Sequence, residues 1–224
     1  MIKLENITRD YRMGYDIVHA VCGISLEIKE GEFVALVGPS GSGKSTTMHI
    51  IGGLDTPTSG RVIVDGQDLS RASDKELAHY RNRKIGFVFQ AFNLHPTYTA
   101  VENVALPLVF AGMPLKKRTE LAVAALETVG MAERALHRPN QLSGGERQRV
   151  SIARALVTQP KIILADEPTG NLDSKNGKHV IELLSRLNSE KGITLIIVTH
   201  DMEIARTAER MIKMRDGRIV EDEA

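Results

Sequence analysis

Apolar positions along the chain follow two different spacings. Ile24-Ser25-Leu26-Glu27-Ile28 alternates cleanly with polar residues and Ile2 to Ile7 does so weakly, the pattern of half-buried antiparallel strands, with Gly31 closing the second. Phe33-Val34-Ala35-Leu36-Val37 is instead an unbroken apolar run, as expected of a strand covered on both faces, and it delivers the chain directly into Gly38. Ser45 to Ile51 then reads as a helix stopped by Gly52-Gly53. Arg61 to Val64, with Asp65-Gly66 behind it, predicts a short hairpin arm, and Ile85 to Phe89 a further apolar strand ending at Gln90.

Beyond Gln90 the pattern changes. Residues 93–159 contain no convincing strand, only helical spacing: Thr99 with Glu102 makes a capping box, and Lys116 to Val129 places Leu121, Ala125, Leu126 and Val129 on one face. Strands resume at Lys161 to Ala165 and Ile193 to Val198, separated by a helical stretch near Lys175 to Asn188. Such alternation implies a mainly parallel, doubly wound α/β sheet. The expected organisation is one domain over residues 1–224, with 1–92 and 160–224 as sheet core and about 93–159 as an inserted helical subdomain.

Composition bounds the reading. A chain of 224 residues, 42% apolar and 25% charged, can bury a sizeable core, which excludes disordered and disulfide-stapled classes. Its formal charge of +1 gives no bias toward nucleic acid, so no nucleic-acid partner is expected and any polyanion must be met locally. Cys22, the one cysteine, rules out an internal disulfide and, beside Val21 and Ile24, is expected in the apolar core. The amino terminus lacks a basic region followed by an apolar segment, so a cytosolic protein is expected. No stretch approaches the ~18 apolar residues of a spanning helix. The best, Ala105 to Leu115, is broken by Pro107, Gly112 and Pro114, so any service to a membrane comes from outside the bilayer.

Gly38-Pro39-Ser40-Gly41-Ser42-Gly43-Lys44-Ser45 fits G-x-x-x-x-G-K-[ST] between a buried strand and a helix. Glycines let the backbone wrap a polyphosphate with N–H groups pointing inward, and the following helix adds the positive end of its dipole. Lys44 would reach the β and γ phosphates and the Ser45 hydroxyl would ligate Mg2+. The fold class is therefore an α/β P-loop NTPase, a mainly parallel sheet core with an antiparallel β arm and an inserted helical subdomain. In Ile162 to Glu167, four apolar residues lift two carboxylates to the rim where open α/β sheets bind ligands. There Asp166 would hold Mg2+ and Glu167 would orient and deprotonate the attacking water.

Ser143 and Glu146 form a capping box in Gln141-Leu142-Ser143-Gly144-Gly145-Glu146, opening a helix expected to run to Gln159, where Pro160 blocks it. Capping does not explain Gly144-Gly145. Glycine costs about 1 kcal/mol in a helix, so the pair suggests bare N–H groups that a second anion approaches. Since the first loop cradles phosphates from its own side, this helix end would serve a nucleotide held by another copy of the chain.

The order of Gly38–Ser45, Gln90, Leu142–Glu146, Ile162–Glu167, Asn171-Leu172-Asp173 and His200 resembles the ATP-binding subunit of ATP-binding cassette (ABC) transporters over essentially the whole chain. Gly86–Gln90, Asn93-Leu94 and Ala165–Asp173 resemble the branch that includes lipoprotein-release, macrolide-export and cell-division ATPases. The resemblance implies that Tyr11 stacks on adenine and that Thr46 joins the phosphate loop. Gln90 would touch Mg2+ and the attacking water and sense a transmembrane partner. Ser143, Gly144 and Gly145 would close on the γ-phosphate across a dimer. Asp173 would link the two sites, and His200 would contact the γ-phosphate.

The implied cofactors are ATP and Mg2+, and the implied partners a second copy of the chain and a separate transmembrane chain. The chain would sit peripherally on the inner face of the membrane. The partner is expected near Gln90 and Phe92 to Leu108, powering export or extraction of lipophilic or peptide cargo. A regulatory, non-transporting membrane ATPase of the cell-division kind is the rival reading. DNA-repair or translation ATPases of the family usually carry a long coiled coil or a second cassette, and the spacing from Lys44 to Ser143 leaves no room for such a coil, while a small-molecule kinase would not need Ser143-Gly144-Gly145.

Overall fold

Continuous apolar runs become central strands because both of their faces find cover. The computed structural model describes residues 1–223. Its larger sheet has the order β10-β9-β3-β8-β7-β6, where β3 is Phe33–Val37, β6 Ile85–Phe89, β7 Ile162–Asp166, β8 Thr194–Thr199, β9 Arg210–Arg215 and β10 Arg218–Glu223. Strands β9 through β6 are mutually parallel, and β10 adds an antiparallel edge. Alternate residues split between two cores: Ile163, Ala165, Leu195 and Ile197 join one cluster, while Ile162, Leu164, Ile196 and Val198 join the other. Each Val, Leu or Ile side chain among them contributes about 1.5–3 kcal/mol when fully buried.

The second core is closed by an antiparallel sheet of order β2-β1-β4-β5, formed by β1 (Ile2–Met13), β2 (Asp16–Ile28), β4 (Ser59–Val64) and β5 (Gln67–Asp68). The expected β arm is thus a full four-stranded layer, and the clean alternation of Ile24 to Ile28 puts Ile24, Leu26 and Ile28 inside. A register shift at Gly23, which takes a φ of 81°, breaks that alternation, so Val21 takes the core position and Cys22 is left half-buried, and the expected core cysteine is not one.

Between β6 and β7 the chain is helical: α3 (Ala100–Phe110), α4 (Leu115–Thr128) and α5 (Gly144–Leu156) pack on each other, with Val104, Leu126 and Val150 buried among them. The Thr99 and Ser143 capping boxes both form. Helix α5 stops at Leu156, before Gln159, which takes a positive φ of 54° and turns the chain toward Pro160 and β7. On the other side lie α1 (Lys44–Ile51) and α2 (Asp74–Lys84), and α6 (Ser174–Lys191) joins the first core.

Helices α2 and α7 (Met202–Ala205) and the β9–β10 hairpin are not predicted by the sequence pattern. Helix α2 buries only Leu77 and Tyr80, too thin a stripe to register, although Ser73 and Glu76 form a capping box. The β9–β10 hairpin turns at Asp216-Gly217 between short, charge-rich strands. The short α7 precedes it, capped by Asp201.

Candidate functional site

Register explains why residues far apart in sequence meet at one edge. Val37 is paired with Thr199, Val198 with Asp166, and Asp166 with Phe89, so the carboxyl ends of β3, β8, β7 and β6 are level. The residue that follows each strand is Gly38, His200, Glu167 and Gln90 in turn.

Gly38–Ser45 makes the tight turn between β3 and α1, with left-handed φ values at Gly41 (78°) and Gly43 (95°). A Cβ at Gly41 would meet nothing within 4 Å, so that part of the loop faces open space. The Lys44 ammonium folds over the loop and donates to the Pro39 carbonyl at 2.8 Å and the Ser42 hydroxyl at 3.3 Å. Burial lowers its pKa from the usual lysine value, against the pull of Glu167 and Asp166. Thr46 follows on α1, and Thr47 donates its hydroxyl to the Gly43 carbonyl at 2.9 Å.

Ser45 Oγ donates to Asp166 Oδ1 at 3.0 Å, so the two oxygens expected at a metal already share a hydrogen bond. Burial raises the Asp166 pKa from the ordinary carboxylate value, opposed by the Ser45 hydrogen bond. His49 Nε2 lies 4.0 Å from Asp166 Oδ2, a neighbour one helical turn beyond Ser45 that the sequence reading did not single out. Glu167 takes a left-handed φ of 45°, fixed by its N–H on the Val198 carbonyl at 2.9 Å and its carbonyl accepting from Gly170 N–H at 3.0 Å. Holding a non-glycine residue there costs of order 1–3 kcal/mol and turns its side chain from the strand. His200 Nδ1 sits 2.7 Å from Glu167 Oε1. The histidine expected at the γ-phosphate is thus seated on the carboxylate expected to activate water.

Gln90 is exposed, and its backbone is anchored: Asn171 Nδ2 donates to its carbonyl at 2.9 Å, and Gly170 lacks a side chain where a Cβ would fall 2.6 Å from Gln90 Nε2. Helix α5 grips the same segment. Gln148 Nε2 donates to the Pro168 carbonyl at 2.7 Å and the Phe89 carbonyl at 3.3 Å, while Arg154 donates to the carbonyls of Phe92 and Asn93. Sequence reasoning missed Asn171, Gln148 and Arg154 as supports because their partners are backbone carbonyls.

Tyr11 is tied by its hydroxyl to Asp55 and carries the Arg9 guanidinium 4.6 Å over its ring. Ser143, Gly144 and Gly145 stand apart: no hydrogen bond joins them to the loop 38–45 among the described residues. Their glycines have a cause inside the chain. A Cβ at Gly145 would fall 2.6 Å from Asn176 Oδ1, and one at Gly144 3.3 Å from Leu172 Cδ2. The pair lets α5 lie against residues 171–176, a packing reason for it beside the anion approach expected from the sequence. Asp173 caps α6, accepting from Asn176 N–H at 2.9 Å and Asn176 Nδ2 at 2.6 Å, and the Asn176 backbone bond, then its side chain, hold its pKa below the usual value.

The edge therefore offers a glycine loop, a lysine, a hydroxyl beside a carboxylate, and a carboxylate–histidine pair. A family model described as ABC transporter matches residues 21–170. The chain belongs to the ABC transporter family. It is 52% identical over 219 residues to an uncharacterized ABC transporter ATP-binding protein of Thermotoga maritima, covering 98% of this chain and 93% of that one. It is 51% identical to the macrolide export ATP-binding/permease protein MacB of Brucella melitensis over 99% of this chain and 34% of that longer protein. The dimeric structure of the MJ0796 cassette in a post-hydrolysis state with ADP and Pi superposes with a TM-score of 0.92 at 50% identity, covering 100% of this chain and 98% of that one. This cassette is thus an ATP-binding, ATP-hydrolysing subunit of the ABC type, in the branch that includes the macrolide exporters. Among the described residues no helix is long and apolar enough to cross a membrane.

Proposed function

We propose that the chain hydrolyses ATP in a head-to-tail homodimer, each nucleotide held between the loop Gly38–Ser45 of one copy and the Ser143 helix end of the other. The observation that carries this reading is the unequal wiring of the two halves. Loop, Asp166, Glu167, His200 and Gln90 share one edge, whereas Ser143-Gly144-Gly145 is exposed at Ser143 and bonded only within its own region. An anion at that helix end gains from its dipole and free N–H groups. The dimeric MJ0796 structures are consistent with it.

In this site Lys44 exchanges the Pro39 carbonyl for phosphate oxygens, and loop N–H groups meet the polyphosphate. Glu167 takes the proton of the attacking water, and His200, already on its carboxylate, holds it in the productive orientation and reaches toward the γ-phosphate. Tyr11 stacks on adenine. The oxygen donors Ser45 and Asp166, with Gln90 nearby, suit Mg2+, a hard ion that takes few protein ligands and keeps waters and substrate phosphate oxygens. When bound, Mg2+ neutralises charge on the β and γ phosphates. Asp173, beside the Ser143 helix end, links the two sites.

Binding free energy becomes motion because the dimer closes only while the γ-phosphate bridges both copies. The partner is a transmembrane permease on a separate chain, which places this chain at the cytoplasmic face of the membrane. It docks beside Gln90, where a groove of about 800 Å3 is lined by Phe87, Phe89, Asn93, Phe110, Arg81 and Arg154. Within Phe92 to Leu108, Val104, Ala105 and Leu108 are core, so docking falls to exposed residues such as Tyr98 and, just beyond, Phe110, which is 80% exposed. The cargo is lipophilic or peptide and is exported or extracted, and the macrolide export named for the MacB relatives supports the outward direction. Phosphate release by the wild type, cut roughly a hundredfold or more in Glu167→Gln with ATP binding retained, tests the hydrolytic assignment. Turnover within about tenfold of wild type in that variant contradicts it.

A further inference from the structure

The phosphate loop is seated on the turn of the carboxyl-terminal hairpin. Gly217 N–H donates to the Ser42 carbonyl at 3.2 Å, and Cys22 N–H donates to the Gly217 carbonyl at 2.8 Å, so one residue stitches loop, turn and β2 together. The contact is close on every side. A Cβ at Gly38 would collide with the Met214 carbonyl, and one at Gly43 would collide with the Ala20 carbonyl and fall 3.4 Å from Gly217 Cα. At Gly217 itself a Cβ would fall 2.9 Å from Cys22 Sγ, 3.1 Å from the Ala20 carbonyl and 3.2 Å from Cys22 N.

We infer that Gly217 is a positioning residue for ATP binding: the Asp216-Gly217 turn sets the curvature of the loop Gly38–Ser45 and thereby where its N–H groups and Lys44 meet phosphate. Gly217 touches no nucleotide and acts through Ser42 and Gly43. A second turn in the same molecule separates this role from ordinary turn strain. Asp65-Gly66 has φ values of 50° and 77°, Asp216-Gly217 of 48° and 72°, so the two turns demand the same left-handed backbone. A Cβ at Gly66 meets nothing within 4 Å, and that turn pairs through Asp65 with Lys84 and Lys161 at the amino ends of β6 and β7, the opposite edge of the sheet from the loop. Alanine at either position carries the same conformational penalty. Only at Gly217 does the added methyl press on a neighbour, Ala20 and Cys22 of β2, and so displace the turn whose N–H holds the Ser42 carbonyl of the phosphate loop.

The test compares Gly66→Ala with Gly217→Ala in the full chain, by thermal midpoint, by titration with fluorescent ADP and ATP, and by steady-state hydrolysis. Both variants lower the midpoint. Gly217→Ala alone raises Kd for ADP and ATP by the same factor, on the order of tenfold, and raises KM while kcat at saturating ATP stays within about twofold. Removing the Sγ contact with Cys22→Ala restores part of the affinity in the double variant and leaves Kd within about twofold by itself. The inference rests on nucleotide binding at Gly38–Ser45, which wild-type titration and its loss in Lys44→Ala check separately. Equal Kd for Gly66→Ala and Gly217→Ala, or a loss in kcat with unchanged Kd, overturns it. Hydrogen exchange on the wild type keeps the test open should Gly217→Ala not fold: bound ADP protects residues 214–219 and leaves 64–68 unchanged, and no added protection at 214–219 overturns the inference.

Discussion

The sheet edge and the amino end of α5 are both rich in glycine and both look like anion sites in sequence, yet they are built differently. At the edge, strand register aligns four strand ends, and the side chains there are already bonded to one another: Ser45 to Asp166, His200 to Glu167, Lys44 to its own loop. At α5 the glycines serve packing against Asn176 and Leu172, Ser143 caps its own helix, and Asp173 caps the next one. A region whose polar groups meet in one chain can bind alone. A region whose polar groups are occupied only by caps, with its helix end facing outward, needs a ligand brought to it.

The sharpest break between the two regions comes from Glu167→Gln, which keeps the fold and the nucleotide but removes the base. Turnover is expected to fall roughly 10²–10⁴-fold with nucleotide affinity unchanged, read by phosphate release and titration. Lys44→Ala strikes the same edge one step earlier. Losing a charge-assisted bond worth about 3 kcal/mol weakens ATP affinity by roughly a hundredfold and leaves the α5 region untouched.

Ser143→Arg strikes the other region. It leaves ATP affinity of the single chain within about twofold and removes ATP-dependent association and turnover, measured side by side. Gly145→Ala sharpens the comparison further. Because Asn176 must move, folding stability drops by about 1–3 kcal/mol in denaturant unfolding, without any ligand present. A variant as stable as wild type would return the glycine to the role of admitting an anion. The smallest effect is expected at Tyr11→Ala, where loss of one ring face costs about 1 kcal/mol of nucleotide affinity.

Much of this was legible in sequence because it depends on local pattern. Phe33–Val37 and Ile85–Phe89 are strands at the expected residues, and the capping boxes at Thr99 and Ser143 form as read. The phosphate loop announces itself because its chemistry dictates contiguous residues. What escaped was decided at long range. Helix α2 has too few buried side chains to show a stripe, and the β9–β10 hairpin exists through its pairing with β3 and its turn beneath the phosphate loop. The glycines of α5 were visible, but not their reason, since Asn176 meets Gly145 only once α6 is folded beside α5. Gln148 and Arg154 read as ordinary helix residues until the loop after β6 brings its carbonyls to them.

The central claim, that each ATP is held by two copies of the chain, is tested most directly by light scattering on Glu167→Gln at saturating ATP, alone and combined with Ser143→Arg. The account predicts monomers without ATP, dimers with it, and monomers again when Ser143→Arg is added although ATP remains bound. A Glu167→Gln chain that stays monomeric with ATP bound, or a double variant that still dimerises, would contradict it.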